Sequence, residues 1–459
     1  MRRSTTFGTL GVLTALLTPT TLAAQTARER DLETRVQQLE EALLALRLQM
    51  QPSTSDPVVA DAGASPRSEI APPAPVKFAP AKPAPPIERA SGTQGDETQI
   101  KLSGFVRVNM IGSRSDAGEM PVGALGREFY LPQQIPVGRD FASNSLLLSA
   151  RQTRLAVDVA KALPAGEIKA HVEFDFALAA APVGAQRATN PYTPTFRRGF
   201  VQYGGLLIGQ EWTTFQNVSV LPETTDFVGP IEGTVFARQA LIQYRLPLSS
   251  SLDLLMAVEN PETETISAAA PIMGDNDDDR LPDLVARLNA RTAFGEFSLA
   301  GLARELRVQD EGLAISTFAW GASLAGRVPF GPKKRHDIRF MATYGQGIGR
   351  YLGLGFAPDA FRTADRLAPI DNLAGFVAVK LGWTDKLRST VTYSLQEAEY
   401  PDFAPETANM RAESLAGNLF WTPIDKFDLG IEYRRGYRSV LSGAEGRLDR
   451  IEFAAKYGF

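Results

Sequence analysis

The sequence predicts an all-β fold, a transmembrane antiparallel β-barrel of about 16 strands over residues 98–459. The last predicted strand, from Arg450 to Phe459, alternates apolar with polar or small side chains and ends on an aromatic residue. The same alternation recurs along most of residues 98–459, and it places one face of each strand in lipid and the other in water. Short and long connections also alternate between the predicted strands, as they do in outer-membrane barrels.

Composition excludes two other classes of protein. Hydrophobic residues make up 44% of the chain, yet its mean hydropathy is only -0.12. After the first 23 residues no apolar run is long enough for a membrane-spanning helix, so a helical membrane protein is excluded. The net charge of -4 gives no sign of nucleic-acid binding. The absence of cysteine fits a chain that crosses an oxidising compartment, but does not decide its location.

The alternation also assigns the two faces of each predicted strand. Between Glu167 and Asp175 the even positions are apolar and the odd positions are charged or are His171. The reverse assignment would place charges in lipid, at about 2 to 4 kcal/mol each near the midplane. We therefore expect a polar, charged lumen. Near the short turns, aromatic residues fall on lipid-facing positions, as an interfacial belt requires: Tyr244, Trp383, Trp421, Phe427 and Tyr457.

The first 23 residues are predicted to be a secretory signal peptide. Arg2 and Arg3 precede an apolar stretch over residues 7–17, and residues 21–23 (TLA) form a small-x-small cleavage site. The alternative is a short membrane anchor, for which the apolar stretch is too short.

Residues 24–50 carry a heptad pattern that predicts a short periplasmic coiled coil. A lone amphipathic helix on a surface is the open alternative, and the residues do not settle the number of helices. Residues 51–97 are rich in proline and alanine, which predicts a semi-rigid linker. The residues predicted to oligomerise the coil are Leu32, Val36, Leu39, Leu43 and Leu46.

A barrel of about sixteen strands leaves an aqueous channel, so we expect an outer-membrane diffusion pore for small hydrophilic solutes. Arginines on lumen-facing positions predict a preference for small organic anions, carboxylates first, because guanidinium groups bind carboxylates with two hydrogen bonds. The open alternative is that these arginines pair with lumen acids and stiffen the wall. The predicted pore-lining arginines are Arg107, Arg154, Arg198, Arg287, Arg291, Arg339 and Arg434.

Two rival functions remain at this point. The coil and linker could tether the outer membrane to the cell wall, with or without transport through the barrel. A barrel enzyme is the other rival, since His171 lies beside Glu173, but no serine stands with either histidine in a known motif.

An acidic loop runs from Asp275 to Asp279. It could bind a hard cation, or it could be a solvated loop tip. We expect no enzyme activity, catalytic residue, bound metal or cofactor.

Six segments of the predicted barrel carry a further signal: 151–155 (RQTRL), 207–215 (LIGQEWTTF), 222–227 (PETTDF), 238–239 (RQ), 259–263 (ENPET) and 283–288 (DLVARL). They resemble the DcaP-like outer-membrane porins. That family comprises trimeric sixteen-stranded channels with a periplasmic coiled coil, associated with uptake of dicarboxylates and aromatic acids. The resemblance implies a homotrimer in contact with outer-membrane lipid, in a Gram-negative outer membrane. It also implies that residues 213–236 fold into the bore as a constriction loop and bring Glu223, Asp226 and Glu232 towards the arginines.

Overall fold

The structure is a computed structural model that describes residues 98–177, 192–268, 270, 272–275, 279–310 and 313–459. The predicted signal peptide, coiled coil and linker, with the heptad residues from Leu32 to Leu46, lie outside these residues. Among the described residues, no helix is long and apolar enough to span a bilayer.

The described chain is built almost entirely from strands. Its helical segments are single turns of 3-10 helix, such as Val218–Val220, Ile231–Gly233 and Gly349–Tyr351. The strands are β1 (Thr98–Ser115), β2 (Ser143–Ser149), β3 (Arg154–Leu163), β4 (Gly166–Asp175), β5 (Thr195–Tyr203), β6 (Leu206–Trp212), β7 (Arg238–Pro247), β8 (Leu252–Glu259), β9 (Glu264–Ile266), β10 (Gly274–Asp275), β11 (Asp283–Arg291), β12 (Glu296–Asp310), β13 (Leu313–Phe330), β14 (His336–Gln346), β15 (Ala360–Arg362), β16 (Leu367–Pro369), β17 (Asp371–Gly382), β18 (Leu387–Glu399), β19 (Asn409–Ile424), β20 (Phe427–Val440) and β21 (Glu445–Gly458).

One sheet of 17 strand segments closes on itself. Neighbouring segments are antiparallel, and the last strand pairs with the first, with Phe105 opposite Gly458. Because β2 and β3 both pair with β1 and occupy one position in the wall, the barrel has 16 strands. This confirms the predicted fold. The short strands β9, β10, β15 and β16 form a separate sheet of 4 strands.

The two ends of the barrel differ in their connections. At one end the strands are joined by short turns, such as residues 164–165 between β3 and β4 and residues 204–205 between β5 and β6. At the other end lie longer segments, including residues 116–142, 213–237 and 347–370. In outer-membrane barrels the short-turn end faces the periplasm.

The outer face of the wall exposes many large apolar side chains, as the alternation predicts. On β18, Val391 and Tyr393 are exposed while Thr390 and Thr392 are buried on the inner side. Trp383 and Trp421 are also exposed on the outer face near the short turns. Large exposed apolar side chains are stable on this face only when it meets lipid rather than water.

The inner face differs from the sequence expectation on one side of the barrel. Val285, Met341 and Phe376 point inward and are buried against Phe215 and Tyr351, which come from connecting segments. Residues 213–237 and 347–370 fold into the barrel and replace water along this part of the wall. The expectation of a polar lumen throughout is therefore wrong here, because an inner face covered by protein favours apolar side chains.

Candidate functional site

Residues 213–237, here called the constriction loop, lie inside the barrel and contact several parts of its wall. The Asn217 amide donates to Ser298 Oγ on β12 at 2.8 Å. Further along, Arg339 on β14 donates to the Leu221 carbonyl, and Asn418 on β19 donates to the Glu223 carbonyl at 2.7 Å. The loop thus crosses the bore instead of extending into solvent.

The tip of the loop is fixed from both sides. Thr225 donates its backbone N–H to Glu432 on β20 at 3.0 Å, and its carbonyl accepts from Arg107 on β1. Asp226 accepts the backbone N–H of Tyr130 at 2.7 Å and lies 3.9 Å from Arg450 on β21. These bonds hold the tip against the β1, β20 and β21 wall.

The other two loop acids named from the sequence also have partners. Glu223 accepts from Arg388 Nε on β18 at 2.7 Å. Glu232 accepts from Ser394 Oγ at 2.8 Å and from the Tyr130 hydroxyl at 3.3 Å. Burial, and then the charge of Glu232, raise the pKa of Tyr130 well above its usual range, so its hydroxyl stays protonated and donates.

Four of the seven arginines named from the sequence are buried or part-buried against the loop or wall. Arg107, Arg287 and Arg339 donate to loop carbonyls: those of Thr225, of Thr214 and Gln216, and of Leu221. Arg434 is only 2% exposed and pairs with Glu432 at 3.0 Å. Arg107, Arg287 and Arg339 therefore join the wall to the loop, whereas Arg434 is paired within the wall.

The other three arginines, Arg154, Arg198 and Arg291, are more exposed to the water-filled bore, with side chains 23%, 26% and 51% accessible. Arg154 pairs with Glu173 at 3.2 Å and with Asp175 at 3.1 Å. Arg198 bonds to Glu211 at 2.6 Å.

Towards the short-turn end, three inward-facing carboxylates are each shared by two cations. We call this region, Asp253, Asp337 and Asp428 with their cations, the vestibule. The sequence interpretation missed most of these cations, although lumen parity near the short turns could have identified them. The pairs are Asp253 with Arg245 at 3.0 Å and Arg291 at 3.2 Å, Asp337 with Arg327 at 3.0 Å and Arg339 at 2.6 Å, and Asp428 with Arg388 at 3.0 Å and Lys456 at 3.6 Å.

A buried ion network fixes two further segments near the long-loop end. Arg304 on β12 is fully buried between Asp283 at 3.3 Å and Asp359 at 3.1 Å. The Tyr351 hydroxyl donates to Asp283 at 2.7 Å. Burial, and then the charge of Asp283, raise the pKa of Tyr351 well above its usual range, which keeps this donor protonated. Arg304 also donates to the Glu262 carbonyl, so one side chain joins the connecting segments at Glu262 and Asp359 to the wall.

A closed 16-stranded wall, an apolar outer face and a loop folded into the bore define an outer-membrane β-barrel of the porin class. A model of the DcaP outer membrane protein family matches residues 90–459, so the chain belongs to that family. This confirms the resemblance seen in the sequence.

Several solved structures are similar to this chain. The outer membrane channel DcaP of Acinetobacter baumannii is 22% identical, with a TM-score of 0.66 over 79% of this chain and 97% of that chain. OmpT of Vibrio cholerae is 12% identical, with a TM-score of 0.48 over 80% and 99%. An anion-selective porin from Comamonas acidovorans is 12% identical, with a TM-score of 0.48 over 79% and 100%. No curated protein matches the chain.

Proposed function

We propose that the chain forms an outer-membrane diffusion channel that favours small organic anions, including dicarboxylates and aromatic acids. The observation that carries the proposal is the vestibule, where Asp253, Asp337 and Asp428 are each shared by two cations. One carboxylate cannot neutralise two cations, so the bore has surplus positive charge at Asp253 and Asp337, whereas Arg388 beside Asp428 is also paired with Glu223. Fixed charges around one low-dielectric wall act together and raise the local concentration of counter-ions.

The seven arginines named from the sequence have two roles in this proposal. Arg154, Arg198 and Arg291 meet the solute, because their guanidinium groups are accessible and have the geometry for a carboxylate. Arg107, Arg287, Arg339 and Arg434 set the size of the passage by holding the loop and wall in place. The side chains of this second group are already bonded to loop carbonyls or, for Arg434, paired with Glu432, so they do not contact the solute.

The proposal extends to the assembly. We propose a homotrimer in outer-membrane lipid, with the coiled coil of residues 24–50 and the linker of residues 51–97 in the periplasm. Partner helices would bury the heptad seam from Leu32 to Leu46, and the resemblance to the DcaP-like porins implies three of them. Contact of this coil with the cell wall is a further proposal that can coexist with transport.

The selectivity is tested by removing vestibule charge. The double variant Arg291→Gln, Arg327→Gln is expected to lower the ratio of anion to cation permeability on the order of threefold, as two partly screened charges should. The measurement is the reversal potential of the purified channel in a planar bilayer under a KCl gradient. Arg435→Gln is the control, because Arg435 is exposed on the outer face of β20. An equal shift in the control, or no shift in the double variant, contradicts the proposal.

A further inference from the structure

A cavity of 430 Å³ near the long-loop end of β5 and β7 is lined by three arginines. Arg197 lies on β5, Arg238 is the first residue of β7, and Arg350 belongs to the segment 347–370 that folds into the barrel. Glu264 is the acid among the lining residues. The lining is therefore predominantly cationic.

The guanidinium groups in this cavity have few protein acceptors. Arg197 is 1% exposed and pairs through Nε with Asp175 at 3.0 Å, but its buried Nη1 and Nη2 have no hydrogen-bond partner. Within the described parts of the chain, neither Arg238 nor Arg350 pairs with a carboxylate, and Arg350 Nη1 is buried without a partner. Buried charges without partners are costly, and an anion in the cavity would supply the missing acceptors.

Aromatic side chains fix the orientation of the central arginine. The Arg238 guanidinium lies 3.6 Å from the Trp212 ring centroid and 5.0 Å from that of Phe236. Cation–π contacts of this kind restrain the guanidinium without using its N–H groups as conventional hydrogen-bond donors, so these groups remain available to an anion. The group is thus oriented before any ligand binds.

An arginine of the cavity and a more accessible arginine lie beside the same aromatic ring. Arg197 lies 4.7 Å and Arg154 lies 5.5 Å from the centroid of one ring, that of Phe227 at the tip of the constriction loop. Arg154 is 23% exposed, whereas Arg197 is buried. Phe227 is therefore placed between an accessible arginine and the arginine cavity.

We propose that Arg197, Arg238 and Arg350 form a carboxylate-binding site, from which the anion passes Phe227 to reach Arg154. This inference rests on the proposed anion channel and adds a defined site and a route past the constriction loop. Binding at the site supplies acceptors to guanidinium groups that lack them. Displacement of the Phe227 ring then exposes the next arginine along the route.

Binding is tested through tryptophan fluorescence of the purified full-length protein, with succinate as the probe. The chain has 4 tryptophans, and Trp320, Trp383 and Trp421 are exposed on the outer face, so Trp212 is the one beside the site. We expect a saturable change with succinate, none with the neutral analogue succinamide, and no change in Trp212→Phe. Charge-assisted hydrogen bonds of this kind predict that Arg238→Gln raises the half-saturating concentration about tenfold or more.

Two further variants keep the binding test decisive. Arg350→Gln, in a connecting segment, is expected to weaken binding in the same direction as Arg238→Gln. Arg435→Gln removes a charge from the outer face of β20, away from the bore, and we expect its half-saturating concentration to match that of the wild type. A wild type without a saturable response, or binding unchanged in both Arg238→Gln and Arg350→Gln, overturns the site.

The route past the loop is tested by succinate uptake into vesicles. Phe227→Ala is expected to raise the uptake rate several-fold without changing the half-saturating concentration, while Phe227→Leu stays near the wild type. Unchanged uptake in Phe227→Ala overturns the route. If the wild type is anion-selective but fails these tests, only the inference falls; if it is cation-selective, the proposed function falls and the inference with it.

Discussion

Replacing Arg304 with methionine is expected to destabilise the barrel by about 3 to 5 kcal/mol, the usual cost of removing one partner from a buried ion pair. Asp283 and Asp359 are fully buried on either side of this guanidinium and would lose their counter-charge together. The measurement is the urea-dependent folding equilibrium in phospholipid vesicles, followed by the shift between folded and unfolded bands on unheated gels.

Arg280→Met is the matched control for this variant. Arg280 also pairs with a carboxylate, that of Glu305 at 3.1 Å, but its side chain is 63% exposed. Exposed ion pairs contribute little to stability, so the control should unfold at nearly the wild-type urea concentration. Similar midpoints for Arg304→Met and wild type would show that the buried network does not hold the segments at Glu262 and Asp359 to the wall.

Removing the constriction loop is expected to raise single-channel conductance several-fold. The Thr213 N–H donates to the Ala237 carbonyl at 3.0 Å, so the two ends of the loop are adjacent and a short Gly/Asn turn can replace residues 214–236. The bore of a sixteen-stranded barrel is too wide for wall side chains alone to fill, and without the loop it should conduct as a wide pore.

A second loop supplies the control for this deletion. Residues 402–407 lie between β18 and β19, and Phe403 within them is exposed, so shortening this segment should leave conductance unchanged. Conductance that stays at the wild-type level after removal of residues 214–236 would mean that the loop does not restrict the passage. A gain of equal size in both deletions would point to general damage of the barrel.

The sequence predicts the fold because the signal is local. In an outer-membrane barrel each strand meets lipid on one face, and a period of two records this in every segment, as in Val391 and Tyr393 against Thr390 and Thr392. The apolar side chains on the inner face of the barrel were harder to predict from the sequence. The run Leu284-Val285-Ala286 breaks the alternation, and such a run indicates that both faces of a strand are covered by apolar surroundings.

The candidate site was only partly predictable, for a different reason. Arg107, Arg287 and Arg339 donate to backbone carbonyls of the loop. Because every residue has a backbone carbonyl, the sequence does not show which one accepts a hydrogen bond. The sharing of Asp337 between Arg327 and Arg339 depends on strand register, which alternation alone does not fix. Arg238 and Arg350 come together only because residues 347–370 fold back into the barrel.

Surplus positive charge in the bore should make the wild-type channel select small anions, and its reversal potential measures that selectivity. Purified protein in a planar bilayer under a KCl gradient should give stepwise currents that reverse at the sign expected for chloride. Replacing chloride with succinate should preserve that sign. A reversal potential of the sign expected for potassium, or a bilayer without stepwise current, would contradict the account.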